Sequence, residues 1–148
     1  MHADMDQVKR VGFYAGAFDP IHDGHVEVAR SAVQHLGLDV VYFMVEELSW
    51  TDKHAADVEH RKAMVDIAVQ GSTTIRRLDL PDKRFSVRST LAHLEKEFVN
   101  SQLFFIFGAD VFLRMNAQQW PHLNELFEHN IVVFERRSVL ENVISSHA

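Results

Sequence analysis

The sequence predicts one doubly wound α/β domain, a five-stranded parallel sheet with helices on both faces. Three observations point there. Short apolar runs alternate with longer stretches of helical periodicity from residue 11 to residue 134. The short runs are apolar at successive positions, as in strands covered on both sides, and not at alternate ones, as in half-wet antiparallel strands. At 148 residues, with no linker, repeat or low-complexity tract, the chain suits a single domain, one able to bury roughly 68–70% of its unfolded surface.

Each element follows in order. Val11-Gly12-Phe13-Tyr14-Ala15 is an apolar run ending in small residues and reads as the first strand. From about Gly24 to Leu36, the positions Val26, Ala29, Val33 and Leu36 fall at helical spacing, and Gly37 ends the helix. Val40 to Val45 is β-branched and aromatic, a second buried strand. Glu46 to Asp57 has no periodicity and reads as a loop. Val58 to Val69 carries Arg61, Met64, Val65 and Ala68 at helical offsets, with Gly71 as its C-cap. Thr73 to Leu80 reads as a strand stopped by Pro81, and Thr90 to Phe98 as a helix with Leu91, Leu94 and Phe98 on one face. Leu103 to Phe107 and Ile131 to Phe134 are the fourth and fifth strands. Between them, Trp120 to Glu128 reads as a helix with Pro121 in its first turn. Alternation of strand and helix demands crossover connections, hence the parallel sheet.

Composition excludes several classes. There is no cysteine, so disulfides, thiolate catalysis and cysteine-ligated zinc are ruled out. Lys and Arg number 15 against 21 Asp and Glu, a formal charge of −6, which speaks against a nucleic-acid partner because no basic stripe is available to release counterions. The longest apolar run, Val40 to Val45, is far short of the roughly 20 residues that span a bilayer. Residues 1–9 are read as a disordered N-terminal extension and not as a signal peptide, since they carry acids and no apolar segment. The expectation is a cytoplasmic protein with no membrane partner.

The chemistry-bearing segment is Gly16-Ala17-Phe18-Asp19-Pro20-Ile21-His22-Asp23-Gly24-His25, which runs directly from the first strand into the first helix. In a doubly wound sheet the ligand crevice lies beyond the carboxyl ends of the strands. Gly16 lets backbone approach a ligand closely, and Pro20 fixes the turn. His22 and His25, three apart at a helix start, can aim two imidazoles at one point where free N–H groups and the helix dipole also favour an anion. Either histidine alone is better explained as an ordinary helix-start or surface residue. The ten-residue arrangement favours a phosphate site. A zinc pair is a third reading, but H-x-x-H without a neighbouring carboxylate motif fits it poorly.

The string G-A-F-D-P-I-H-D-G-H resembles the G-(S/T)-F-D-P-x-H-x-G-H signature of the nucleotidylyltransferase superfamily. More closely, the chain resembles the bacterial nicotinate-nucleotide adenylyltransferases. Glu59-His60-Arg61-Lys62-Ala63-Met64 is similar to that family's E-H-R-x-x-M, and Phe85 to Leu91 to its Y-T-x-D-T-L with one residue inserted. Phe105 to Asp110 is similar to its F-I-x-G-A-D, and Ile131 to Arg137 to its F-V-V-x-x-R-P strand. The resemblance implies a Rossmann-like fold and transfer of the adenylyl group of Mg²⁺-ATP onto a mononucleotide, with pyrophosphate released. It implies His22 and His25 as catalytic residues facing the ATP phosphates. It further implies Gly16, Ala17, Phe18, Gly24, Gly108 and Asp110 as nucleotide-binding, and Lys53, Thr90 and Trp120 as acceptor-binding, Trp120 by stacking on the pyridine ring. No dedicated metal ligands are expected, Mg²⁺ being inferred from ATP. ATP and a small mononucleotide or other phosphate acceptor are the implied partners, with homo-oligomerisation as one further expectation.

The sequence departs from the pattern in places. Ala15 stands at the first Gly of the family's Gly-Gly pair and Ala17 at its Ser or Thr. Glu46 and Glu47 precede Lys53 in a segment without the prolines of the family's P-P-H-K loop. Ile144-Ser145-Ser146 repeats the opening of the I-S-S-T-x-I-R motif, and no arginine follows. Arg136, Arg137, Lys53, Arg88 or a neighbouring subunit is therefore expected to offset triphosphate charge. Two alternatives remain beside the pyridine-nucleotide reading: the same transfer onto another phosphate acceptor, and a catalytically silent nucleotide-binding protein.

Overall fold

A computed structural model describes residues 8–48 and 56–135, together with the backbone of residues 144–146. Six strands form one sheet in the order β3-β2-β1-β4-β5-β6. They are β1 (Lys9–Gly16), β2 (Val40–Val45), β3 (Ile75–Arg77), β4 (Ser101–Gly108), β5 (Asn130–Phe134) and β6 (Ile144–Ser146). The first five are parallel, as expected, with Phe13 of β1 opposite Tyr42 of β2 and Phe105 of β4. β6 runs antiparallel to β5, pairing Val133 with Ile144; the sequence reading contained no strand there.

The doubly covered sheet follows from the strand residues themselves. Because successive side chains point to opposite faces, Tyr14, Phe43, Phe104 and Ile106 build one core, while Val11, Phe13, Met44, Leu103, Phe105 and Phe107 build the other. Helices α1 (Asp23–Leu36) and α2 (Val58–Ala68) close the first core through Val28, Ala29, Ala32 and Val65. Helices α3 (Val87–Glu97), α4 (Ala109–Ala117) and α5 (Leu123–Leu126) close the second through Leu91, Leu94, Met115 and Leu126. Burying each such side chain stabilises the fold by about 1.5–3 kcal/mol relative to exposure. No described helix is long and apolar enough to cross a membrane.

Several boundaries differ from expectation for identifiable reasons. β1 begins at Lys9, inside the segment read as an extension, because Arg10 is fastened on all sides. Its backbone N–H donates to Asp39, its guanidinium donates to the Leu36 carbonyl and to Gln102, and it lies 4.8 Å over the Phe104 ring. Residues 1–7 lie outside the described residues. β3 covers only Ile75–Arg77 of the predicted 73–80, since the Ser72 hydroxyl accepts from the N–H groups of Thr74 and Ile75 and turns the chain before the ladder starts. α2 is capped at Val69, and Gly71, left-handed at φ 82°, sits two residues beyond it. α3 starts three residues early, at Val87. The predicted helix 120–128 shrinks to Leu123–Leu126, because His122 adopts φ 65° and holds Pro121 outside it. α4 was absent from the sequence reading altogether, although Val111, Phe112 and Met115 sit at helical spacing.

Candidate active site

Strand order reverses direction between β1 and β4, and the crevice of a doubly wound sheet opens at that switch point. A cleft of about 350 Å³ lies there, lined from β1 and its exit by Tyr14, Ala15, Gly16, Ala17 and Phe18. His22, Gly24 and His25 line it from the start of α1, and Gly108, Asp110, Val111, Arg114 and Trp120 from the exit of β4. The sequence-derived site is therefore largely assembled in one place.

The imidazole pair is fixed by the helix it begins. His22 is the N-cap of α1, with φ −142° and ψ 177°, and its Nδ1 accepts from the Gly24 N–H at 3.1 Å. The His22 N–H donates to His25 Nδ1 at 3.1 Å, completing a reciprocal capping box made of two histidines. With both Nδ1 lone pairs occupied by backbone donors, each neutral ring carries its proton on Nε2, assigned from these bonds. The rings stack at 3.8 Å with 27° between planes. The result is a pair of Nε2–H donors held together at the positive end of a 14-residue helix. Gly24 is glycine for a steric reason: a Cβ there would lie 2.9 Å from His22 Cε1.

The backbone before the pair is held from behind. Phe18, at φ 48° in the left-handed region, is 4% exposed, with its ring edge-on to Tyr14, His25 and Phe43. Of the Gly16–Phe18 segment expected to approach phosphate, Phe18 thus contributes backbone while its side chain anchors the loop. Arg61, 2% exposed on α2, donates through its guanidinium to four carbonyls: Ala17 at 2.8 Å, Glu46 at 2.7 Å, Glu47 at 3.0 Å and Ala56 at 2.7 Å. One side chain ties the β1 exit, the β2 exit and the approach to α2. The Arg of Glu59-His60-Arg61 was seen in sequence only as part of a motif, and its role was not legible there.

The other wall is built differently. Gly108 caps α4 without a side-chain hydrogen bond, and Asp110 Oδ1 folds back so closely that a Cβ on Gly108 would lie 2.9 Å from it. Trp120 donates from its indole N–H to Gln118 Oε1 at 3.1 Å and its backbone N–H to the Met115 carbonyl, setting the ring at the cleft edge. Two charged lining residues are not among the site groups that the sequence predicts. Glu46, 5% exposed, accepts from the Phe85 N–H at 2.8 Å; Arg114 projects from α4 one turn beyond Asp110.

Thr90 is not brought to the cleft. It is fully buried, and its hydroxyl accepts from the Ser86 N–H at 2.9 Å, serving the start of α3 in place of a Ser86 cap. Arg88, exposed on the same helix, is likewise absent from the lining. Lys53, Arg136 and Arg137 lie outside the described residues. Among the described residues, no group of three His, Asp or Glu side chains is placed to hold a metal ion.

Comparison with known proteins gives this geometry a family. A model described as cytidylyltransferase-like matches residues 13–148. A probable nicotinate-nucleotide adenylyltransferase of Clostridium perfringens is 35% identical over 137 residues, covering 87% of this chain and 66% of that protein. The nicotinate-nucleotide adenylyltransferase of Bacillus subtilis is 31% identical over 133 residues, with 86% of this chain and 68% of that protein covered. Among solved structures, the Plasmodium falciparum nicotinic acid mononucleotide adenylyltransferase complexed with NaAD superposes with a TM-score of 0.73 at 21% identity, over 90% of this chain and 70% of that one. The chain spans just under two thirds of the C. perfringens relative's length and 60% of that of a Clavibacter michiganensis relative. The chain belongs to the cytidylyltransferase-like family, and within it stands with the nicotinate-nucleotide adenylyltransferases.

Proposed function

We propose that the protein transfers the adenylyl group of ATP onto nicotinate mononucleotide, releasing pyrophosphate in a step of NAD formation. The observation that carries this reading is the histidine capping box at the cleft: two stacked imidazoles at a helix N-terminus whose Nδ1 atoms accept from backbone, so that each neutral ring carries its proton on Nε2. Such an array binds a polyphosphate without reorganising during reaction, and fixed donors of this kind contribute most where charge develops. An acceptor phosphate oxygen attacks the α-phosphorus of ATP as the bond to the bridging oxygen breaks, and pyrophosphate departs with the negative charge. Little covalent chemistry is asked of the protein; it must hold two anionic reactants in line and offset the charge on the departing oxygens.

In this reading His22 and His25 donate to the phosphates, and the backbone of Gly16, Ala17, Phe18 and Gly24 permits their close approach. Gly108 and Asp110 contact the nucleotide sugar, and Trp120 stacks on the acceptor ring. Lys53 is carried as a further acceptor-binding residue. Magnesium suits a site of this donor set as a companion of the triphosphate, since Mg²⁺ keeps several waters and favours phosphate oxygens with one or two carboxylates. The ion, when bound with the triphosphate, would offset phosphate charge.

The test is pyrophosphate release from Mg²⁺-ATP with nicotinate mononucleotide. Release is expected from the wild-type chain, and His25→Ala is expected to lower kcat by about 10²–10³-fold, the cost of one lost charge-stabilising donor. ATP binding by calorimetry without release, for any mononucleotide offered, would overturn the enzymatic reading and leave a silent nucleotide-binding protein.

A further inference from the structure

At the histidine end of the cleft, where β1, its exit and α1 form the wall, no Lys or Arg of the described residues is among the lining. A cation lies directly behind that wall instead. Arg61, buried on α2, spends every hydrogen bond on a main-chain carbonyl and takes part in none of the ion pairs of the described residues. A guanidinium stays charged in the interior, so this charge rests on peptide dipoles and is not cancelled by a bonded carboxylate.

Its Nη1 also interrupts the sheet. β1 and β2 are parallel, and the last rung between them is the Glu46 N–H donating to the Gly16 carbonyl at 2.8 Å. In an evenly spaced parallel ladder the next rung would run from the Phe18 N–H to the Glu46 carbonyl. That rung is missing. The Glu46 carbonyl accepts from Arg61 Nη1 at 2.7 Å, and the same nitrogen donates to the Ala17 carbonyl at 2.8 Å. Phe18 has turned to φ 48°, and among the described residues nothing accepts from its N–H. In a trans peptide the carbonyl and the N–H point in opposite directions. The Ala17 carbonyl is drawn back to Arg61, which does not line the cleft; the Phe18 N–H of the same peptide faces the other way, on a segment that does. Bonding to the cation also polarises that peptide, since hydrogen bonds in series strengthen one another.

Resting on the reading of this end as a phosphate site, we propose that Arg61 is a positioning residue for the polyphosphate. It takes the Glu46 carbonyl out of the ladder, turns the Phe18 N–H toward the cleft, and strengthens that donor with its charge.

The experiment sets Arg61→Lys beside Arg61→Gln. Both lose the fork that holds four carbonyls, and only lysine keeps a cation. Calorimetry with inorganic tripolyphosphate reads the phosphate end, and urea unfolding reads the structural loss. Arg61→Gln is expected to weaken tripolyphosphate binding by roughly 10- to 100-fold, the range for one charged hydrogen bond. Arg61→Lys should bind it several-fold more tightly than Arg61→Gln, although the two unfold alike. Equal weakening in both variants would make Arg61 a structural strap alone, and undiminished binding in Arg61→Gln would remove it from the phosphate end; either overturns the proposal. A second arm needs no variant. In the wild-type chain, tripolyphosphate should move the Phe18 amide proton resonance downfield, and an unmoved resonance or no binding overturns the proposal. Tripolyphosphate carries no adenylyl group, so the transfer reading fails separately: ATP and nicotinate mononucleotide would yield no pyrophosphate while the tripolyphosphate pattern held.

Discussion

At the exit of β1 side chains cap the helix that follows, whereas at the exit of β4 the helix begins with no side-chain cap. The first exit is closed on itself: His22 and His25 cap α1 reciprocally, and Arg61 gathers four carbonyls beneath the loop. At the second, α4 begins without a side-chain cap, and Asp110 turns back over Gly108. A preorganised donor array suits the reacting phosphates, whose position must be held within tenths of an ångström. The contrast teaches that one cleft joins an end locked by local side-chain bonds to an end whose helix start is left open.

The most severe way to break that contrast is Arg61→Ala. It takes the donor from four carbonyls at three loops, and a loss of about 1.5–3 kcal/mol is expected, the range for hydrogen bonds to a charged group. Urea unfolding measures the loss, and a drop below about 1 kcal/mol would mean that the β1 exit holds its shape without the strap. Gly24→Ala attacks the capping box alone. The added methyl displaces the His22 ring, at an expected cost of about 1–2 kcal/mol from the lost cap and crowding. ATP affinity should fall more than acceptor affinity, as calorimetry with each ligand would show. An equal fall would erase the division between the two ends.

The smallest effect is far from the cleft. Arg77 donates to Asp66 and Asp79, chiefly to Asp66, and its pKa is raised accordingly. At Asp79, partial burial pushes the carboxyl up, but hydrogen bonds from Arg77 and Lys62 outweigh it and leave the pKa below the ordinary 3.8. A depressed carboxyl contributes stability that is present above its unfolded pKa and lost as pH falls through the folded one. Asp79→Asn should therefore cost less than about 1 kcal/mol at neutral pH, as for exposed pairs. The difference from wild type should vanish in acid below the ordinary carboxyl range. Thermal melts across pH check this, and unchanged adenylyl transfer in the variant confirms that the cleft contrast is local.

Much of this was legible in the chain. The five parallel strands came from continuous apolar runs such as Val40 to Val45, because a strand covered on both faces has no polar side to display. The β1 exit was legible for a related reason: its groups are local, with His22, Gly24 and His25 bonded to one another within four residues. Local bonds leave a fixed spacing in the sequence. The helix Ala109–Ala117 left a fainter pattern, hidden behind the apolar strand that feeds it.

Tertiary structure alone decided the rest. Thr90 carries a hydroxyl fit for a ligand, yet packing turns it inward to the Ser86 N–H. The partners of Arg61 lie between 5 and 44 residues away in the chain, and no spacing rule connects them. Arg114 looks like any solvated helix residue until the sheet sets α4 against the cleft and Asp110 turns back over Gly108. Sequence specifies what is near along the chain, through propensity, periodicity and capping. Which side chain meets a partner and which is left waiting depends on surfaces brought together across the fold.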